Sequence, residues 1–155
     1  MSKEQVVDLS KIKTGGTFLT NVVGSEKVFC KELFSEEEKM IYEAMHDFAI
    51  NELLPLSQNE LNKKDEKLIR KLVEQMGDLG FLGIDVPEKY GGSEMTKTGM
   101  CIFAECISVC RSASFCTVWN VQTSIGSLGI IWYGNDEQKQ KWLPGICSGE
   151  KIAAF

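Results

Sequence analysis

Apolar positions recur along this chain at intervals of three and four, in separate blocks. A helix turns once in about 3.6 residues, so each block lays its apolar side chains on one face. The first block follows Ser35-Glu36-Glu37-Glu38. The Ser35 hydroxyl is placed to accept from the third helical amide, and Glu38 to reach back to the Ser35 amide. Phe34 precedes the cap as a hydrophobic staple would, and Ile41, Met45, Phe48 and Leu53 follow. Three acids in the first turn suit the helix dipole. Pro55 should end or kink this helix near Leu54. Asp65 caps a second block of Leu68, Ile69, Leu72, Val73, Met76 and Leu79, which Gly80 closes as the glycine just past the helix end.

A third helix is predicted from about Thr96 to Cys110. Met100, Phe103, Ala104, Cys106, Ile107 and Cys110 cover most of its circumference, so it should be central. A fourth, about 115 to 133, is nearly free of charge, and a helix with no charged face is expected to be buried all round. Its small polar residues, Thr117, Ser124, Gly126 and Ser127, fit a helix that lines a cavity or packs very closely. Asn135 and Gln138 form a second capping pair, opening a short helix that should end at Leu143, before Pro144-Gly145. Between the second and third helices, Phe81 to Gly92 holds one proline and three glycines, which excludes a regular helix and predicts a structured connector. Residues 1–33 show no period and read as an irregular arm. Residues 151–155 alternate like the start of a strand, with nothing after them to pair with. The expected architecture is all-α: a five-helix bundle over residues 34–150, followed by a tail that would start a β domain.

Composition narrows the function classes. A chain of 155 residues suits one domain. Its net charge of −5 is interspersed and no Lys/Arg block stands out, so nucleic acid and anionic membrane are excluded as expected partners. No apolar run approaches a membrane span. The polar N-terminus carries no signal-like apolar region, which makes the cytoplasm the expected compartment. None of the six cysteines forms a C-x-x-C pair. Cys106 and Cys110 lie one helical turn apart, but the single histidine, His46, is distant, so no metal site is expected and the thiols read as small hydrophobes. Glu105 reads as a partly exposed or paired acid, His46 as a boundary residue, and Ser108, Ser112 and Ser114 as caps rather than nucleophiles. No G-x-S-x-G or G-x-G-x-x-G pattern is present.

Three segments together resemble the acyl-CoA dehydrogenase family. They are Leu79 to Gly92, containing Pro87-Glu88-Lys89-Tyr90-Gly91-Gly92; Gln122-Thr123-Ser124-Ile125-Gly126 with Gly129-Ile130-Ile131; and Gly134 to Pro144 with Ser148-Gly149-Glu150 and Ala153-Ala154-Phe155. The resemblance runs over roughly residues 34–155, and the arm and the Ser124-Ile125-Gly126 pattern look closest to the very-long-chain branch. It implies a helical N-terminal domain, then a β domain and a second helical bundle. It implies FAD as cofactor, an acyl-CoA substrate, an electron-transferring flavoprotein as acceptor and a homo-oligomer at full length. The family's catalytic carboxylate and nearly all its flavin contacts would lie beyond residue 155, so this chain holds no catalytic residue and should be inactive alone. Carried over residue by residue, Thr117, Val118, Val121 and Ile125 would line the slot for the acyl tail, and Phe155 would sit beside the flavin. Leu79, Phe81, Met95 and Phe103 would form an apolar patch for the partner flavoprotein, with Ser93 replacing a family leucine. Each residue also has a plainer reading as core, and the chain as a whole has one as a non-catalytic helical partner-binding module.

Overall fold

Helix starts are decided by side chains that take up the first orphan amides, and in the computed structural model the marked caps do so. The structure describes residues 30–56, 60–61, 63 and 65–154; most of the arm expected at 1–33 lies outside them. The chain divides into two units, Met1–Lys39 and Met40–Phe155. In the first, a 3-10 turn at Lys31–Leu33 precedes the Ser35 cap, whose hydroxyl accepts the Glu38 amide at 3.1 Å while Glu38 accepts the Ser35 amide at 2.9 Å. This opens α1 (Glu36–Phe48), which runs into a π-turn at Ala49–Leu53 and stops before Pro55, as expected.

Asp65 accepts from the Lys67 and Leu68 amides and opens α2 (Glu66–Asp78). Gly80, at φ +77°, supplies the left-handed residue that ends it. The connector from Phe81 to Met95 folds back on itself. The Ser93 amide bonds to Gly83 O at 2.9 Å and the Met95 amide to Ile84 O at 2.8 Å. A Cβ on Gly92 would stand 1.9 Å from Val86 O, so no other residue fits there. Thr96 caps α3 (Lys97–Ile107), and a 3-10 turn, Ser108–Cys110, follows it.

The expected fourth helix is two helices, α4 (Ala113–Thr123) and α5 (Ile125–Tyr133), broken at Ser124. The hydroxyls of Thr117, Thr123 and Ser124 each donate to a carbonyl four residues earlier, an arrangement that bends helices. Gly126 packs so closely on the chain end that a Cβ there would be 2.7 Å from Ala153 Cβ. Nor is this stretch buried all round: Ile125 is 56% exposed, Trp132 62% and Tyr133 87%. The Asn135–Gln138 capping box forms and opens α6 (Asp136–Cys147). That helix runs through Pro144 instead of ending at Leu143. The missing proline amide weakens one turn, but Leu143, Gly145, Ile146 and Cys147 are all buried and hold it. Residues 151–154 are not in a strand here, and the Ala153 amide donates to the Gln122 side chain. Among the described residues the principal helices thus number six, where five were predicted.

The core of the second unit is a row of rings. Phe48, Phe81, Phe103 and Trp119 follow one another at centroid distances of 5.9, 5.0 and 6.5 Å, and the Trp119 indole donates to Phe81 O at 3.2 Å. α3 is central, as predicted, with Ile102, Phe103, Cys106 and Ile107 buried. A second cluster, Val86, Tyr90, Leu143, Ile146 and Cys147, ties the connector to α6. Among the described residues no helix is long and apolar enough to cross a membrane.

Candidate functional site

Ser112 accepts the Phe115 amide at 3.2 Å and fixes where α4 begins. That start sets the phase of the helix. Thr117 and Val121 then fall one turn apart on one side, and Ile125 opens the next helix. Thr117 and Ile125 are exposed, while Val118 and Val121 are half-buried. A hollow of about 280 Å³ beside α4 is lined by Ala104, Ile107, Cys116, Thr117, Trp119 and Asn120. Of the four residues expected at the acyl slot, Thr117 alone lines it. The wall carries no charge, and burial holds the Cys116 thiol up at about 11, with the neighbouring Cys110 adding to the effect. Such a surface can hold alkyl groups by contact; it offers no acid, base or anion site.

Gln122, named in the sequence only as part of a motif, ties the bundle to the residues that follow it. It is buried, and its amide makes three bonds. Nε2 donates to Ile146 O at 2.9 Å and to Lys151 O at 2.8 Å, and Oε1 accepts the Ala153 amide at 2.7 Å. One side chain thereby fixes the direction in which the chain leaves the bundle towards Phe155. Phe155 itself lies outside the described residues. The available signal was a carboxamide side chain in an uncharged apolar helix, since a buried amide must find partners.

The four residues expected to form the partner patch do not share a surface. Phe81 and Phe103 meet, but inside the aromatic row, at 5% and 0% exposure. Leu79 is exposed and Met95 half-buried. What the structure forms at Leu79 is a cleft of about 430 Å³ between α1 and α2. Phe48, Ala44 and Leu79 make its apolar side; Asp47, Glu52, Gln75 and Asp78 stand around it.

Elsewhere the polar residues are structural. The Tyr90 hydroxyl donates to Asp136, and Lys89 pairs with the same carboxylate at 3.4 Å. The tyrosine bond first, and the lysine second, hold Asp136 below its ordinary range. This joins the connector to the start of α6. His46 is half-buried and stacked on Tyr42 at 5.4 Å. Glu105 is exposed and Ser112 acts as a cap. Among the described residues no three metal-ligating side chains come together.

The family model described as "Acyl-CoA dehydrogenase, N-terminal domain" matches residues 35–150. The chain belongs to the acyl-CoA dehydrogenase family. It is 39% identical over 144 residues to a probable acyl-CoA dehydrogenase of Bacillus subtilis, covering 93% of this chain and 24% of that one. It is 34% identical over 120 residues to the mitochondrial short-chain specific acyl-CoA dehydrogenase of Homo sapiens, covering 77% and 28%. The crystal structure of an acyl-CoA dehydrogenase complexed with FAD from Bacillus anthracis superposes with a TM-score of 0.75 at 40% identity, covering 90% of this chain and 23% of that chain. The chain therefore spans about a quarter of the length of these acyl-CoA dehydrogenases, and the helical bundle is their N-terminal domain.

Proposed function

We propose that this bundle is the substrate-facing N-terminal part of a flavin-dependent acyl-CoA dehydrogenase, which removes an α-proton and a β-hydride from an acyl-CoA thioester. The observation that carries the proposal is the uncharged, incompletely covered row of Thr117, Val121 and Ile125 on the broken helix pair α4–α5. A fatty acyl tail needs apolar walls, because each buried methylene gains about 0.8 kcal/mol. Val118 is half-buried on the same helix, and Val121 is of intermediate size, neither filling a slot nor opening one.

In this proposal FAD supplies the hydride acceptor. Of this chain, the tail that Gln122 holds is the part fitted to approach it, with Phe155 as the contact. That is a positioning role, and the base that takes the proton belongs to residues after 155. Residues 1–33 would be the arm, 34–150 the helical domain and 151–155 the start of the β domain. The match to the Bacillus subtilis relative covers 144 of 155 residues and so takes in part of the arm. The 120-residue match to the human short-chain enzyme leaves room to omit it. The acceptor would be an electron-transferring flavoprotein, and exposed Leu79 beside the α1–α2 cleft is the best-placed anchor for its apolar loop, with Met95 secondary. No disulfide joins the six cysteines, which supports a cytoplasmic, reducing compartment. A homo-oligomer is expected of the full chain.

The test is spectroscopic and kinetic. The full chain should purify yellow with bound FAD, and Val121→Phe should lower kcat/KM for long acyl-CoAs by tenfold or more, about 1.4 kcal/mol, while sparing short ones. A colourless full chain would favour a non-catalytic module. A yellow enzyme whose chain-length profile ignores Val121→Phe would retain the activity but remove this face from the slot.

A further inference from the structure

The cysteines are not all alike. The sequence pairs Cys106 with Cys110 by helical spacing, but the thiol that Cys110 touches is Cys116. Their sulfurs are 3.7 Å apart, with either thiol able to donate to the other. The turn between them is tightly specified. Arg111 takes a left-handed conformation at φ +54°, the Ser112 amide donates to Cys110 Sγ at 3.5 Å, and the Cys116 thiol donates to Ile107 O at 3.8 Å. Cys110 is buried, whereas Cys116 is half-buried and lines the hollow beside α4. A small reagent can therefore reach Cys116 and, through it, Cys110.

We propose that Cys110 and Cys116 are a dithiol site that hydrogen peroxide closes to a disulfide. The sulfurs need to approach by only about 1.7 Å to reach the bonded distance. The Cys116 thiolate attacks one peroxide oxygen; the O–O bond breaks and hydroxide leaves, taking up a proton to give water. Cys116 is then a sulfenic acid. The Cys110 sulfur, giving up its proton, attacks the Cys116 sulfur. The S–O bond breaks, and a second hydroxide leaves as water. Two electrons pass from the two thiols to peroxide, and the products are one disulfide and two waters. Burial and the neighbouring thiol keep Cys116 protonated at neutral pH, so it resists alkylation and the closure is slow. The remaining cysteines are placed differently. Cys30 and Cys101 are exposed, Cys106 is buried on α3, and Cys147 is packed among Val86, Tyr90, Leu143 and Ile146. The site stands whether or not the face beside it holds an acyl chain.

The digestion needed to test this is written in the chain. Trypsin cuts after Lys97, Arg111 and Lys139, which puts Cys110 and Cys116 on separate peptides, Thr98–Arg111 and Ser112–Lys139. The full chain carrying Cys30→Ser and Cys101→Ser is exposed to hydrogen peroxide, blocked with N-ethylmaleimide, digested without reductant and analysed by mass spectrometry. The expected result is the two peptides joined, two hydrogens lighter than their sum, and separated by dithiothreitol. Cys110→Ala or Cys116→Ala should lower the joined species by at least about tenfold, and Cys106→Ala should leave it unchanged. Recovery of Cys116 alkylated or as sulfonic acid with no joined species would overturn the proposal. So would a joined species that persists in Cys110→Ala, because the partner would then be Cys106. The parent mapping decides the question even if a variant fails to fold.

Discussion

One stretch of this chain mixes charged and apolar residues and another carries no charge, yet the first is the better buried. The connector with its flanking helices, residues 66–107, puts Phe81 and Phe103 into the ring row and closes every turn on its own backbone. The α4–α5 stretch, residues 113–133, buries Trp119 and Gln122 on one side but leaves Ile125, Trp132 and Tyr133 in the open. The missing charges on α4–α5 were read as a sign of burial. They mark instead a surface with no polar role, half of which packs on the bundle. What separates the two stretches is where their turns are held: the connector's Ser93 and Met95 amides return to Gly83 and Ile84, whereas Gln122 reaches out to Ile146, Lys151 and Ala153.

The largest expected effect breaks the first stretch. Phe81 contacts Phe48 and Phe103 and is almost wholly buried. Phe81→Ala should destabilise the domain by about 3–5 kcal/mol, the usual cost of emptying a buried phenylalanine site. Leu79 is 54% exposed two residues earlier, and Leu79→Ala should stay within about 0.5 kcal/mol. Denaturant titration of both variants measures the contrast. It also selects the variant fit to probe partner docking: a slowed reduction of the acceptor flavoprotein can be interpreted in Leu79→Ala and not in a protein whose core has been opened. Equal stability losses would dissolve the distinction between core and cleft.

The second effect is intermediate and lies within the second stretch. Gln122→Leu keeps the volume but leaves the Ile146 and Lys151 carbonyls and the Ala153 amide without this partner. A buried polar group left unsatisfied costs about 1–3 kcal/mol. The tail can move to let some of the three reach water, so the expected net loss is about 2–3 kcal/mol. Hydrogen exchange at the Ala153 amide should accelerate more than at any amide of α3. An unchanged exchange rate would mean that the tail is held by packing against Gly126 and not by the carboxamide.

The helix starts were legible because each depends on one side chain and its third neighbour, as at Ser35 with Glu38 and Asn135 with Gln138. The end of α2 was legible for the same local reason, a glycine at positive φ. Helix continuity was not. The break at Ser124 and the passage through Pro144 lie beside Gly126 and Gly145, which pack against Ala153 and Lys151, more than five residues away. The same limit governs the site. The Thr117 and Val121 side of α4 follows from spacing, whereas the burial of Phe81 and Phe103 and the pairing of Cys110 with Cys116 depend on how one helix meets the next.

The smallest stability effect sharpens the other side of the comparison. Trp132 and Tyr133 sit edge to face at 6.4 Å near the end of α5, with most of both residues in solvent. Tyr133 also borders a hollow of about 300 Å³ with Ile130, Gln138 and Trp142. Ile125 and Ile152 are exposed as well, and contiguous apolar patches mark contact surfaces. Replacing Trp132 and Tyr133 with serine removes little buried area, so the expected change in stability is within about 0.5 kcal/mol. The change in association should be far larger. The 155-residue chain should self-associate at high concentration and bind a hydrophobic dye, and the Trp132→Ser, Tyr133→Ser double variant should do both less, as read by sedimentation velocity and dye fluorescence. If the double variant lost several kcal/mol, the two rings would belong to the core and the contrast with Phe81 and Phe103 would fail. If stability and association were both unchanged, the contact surface would lie elsewhere, and the α1–α2 cleft beside Leu79 would be the next place to look.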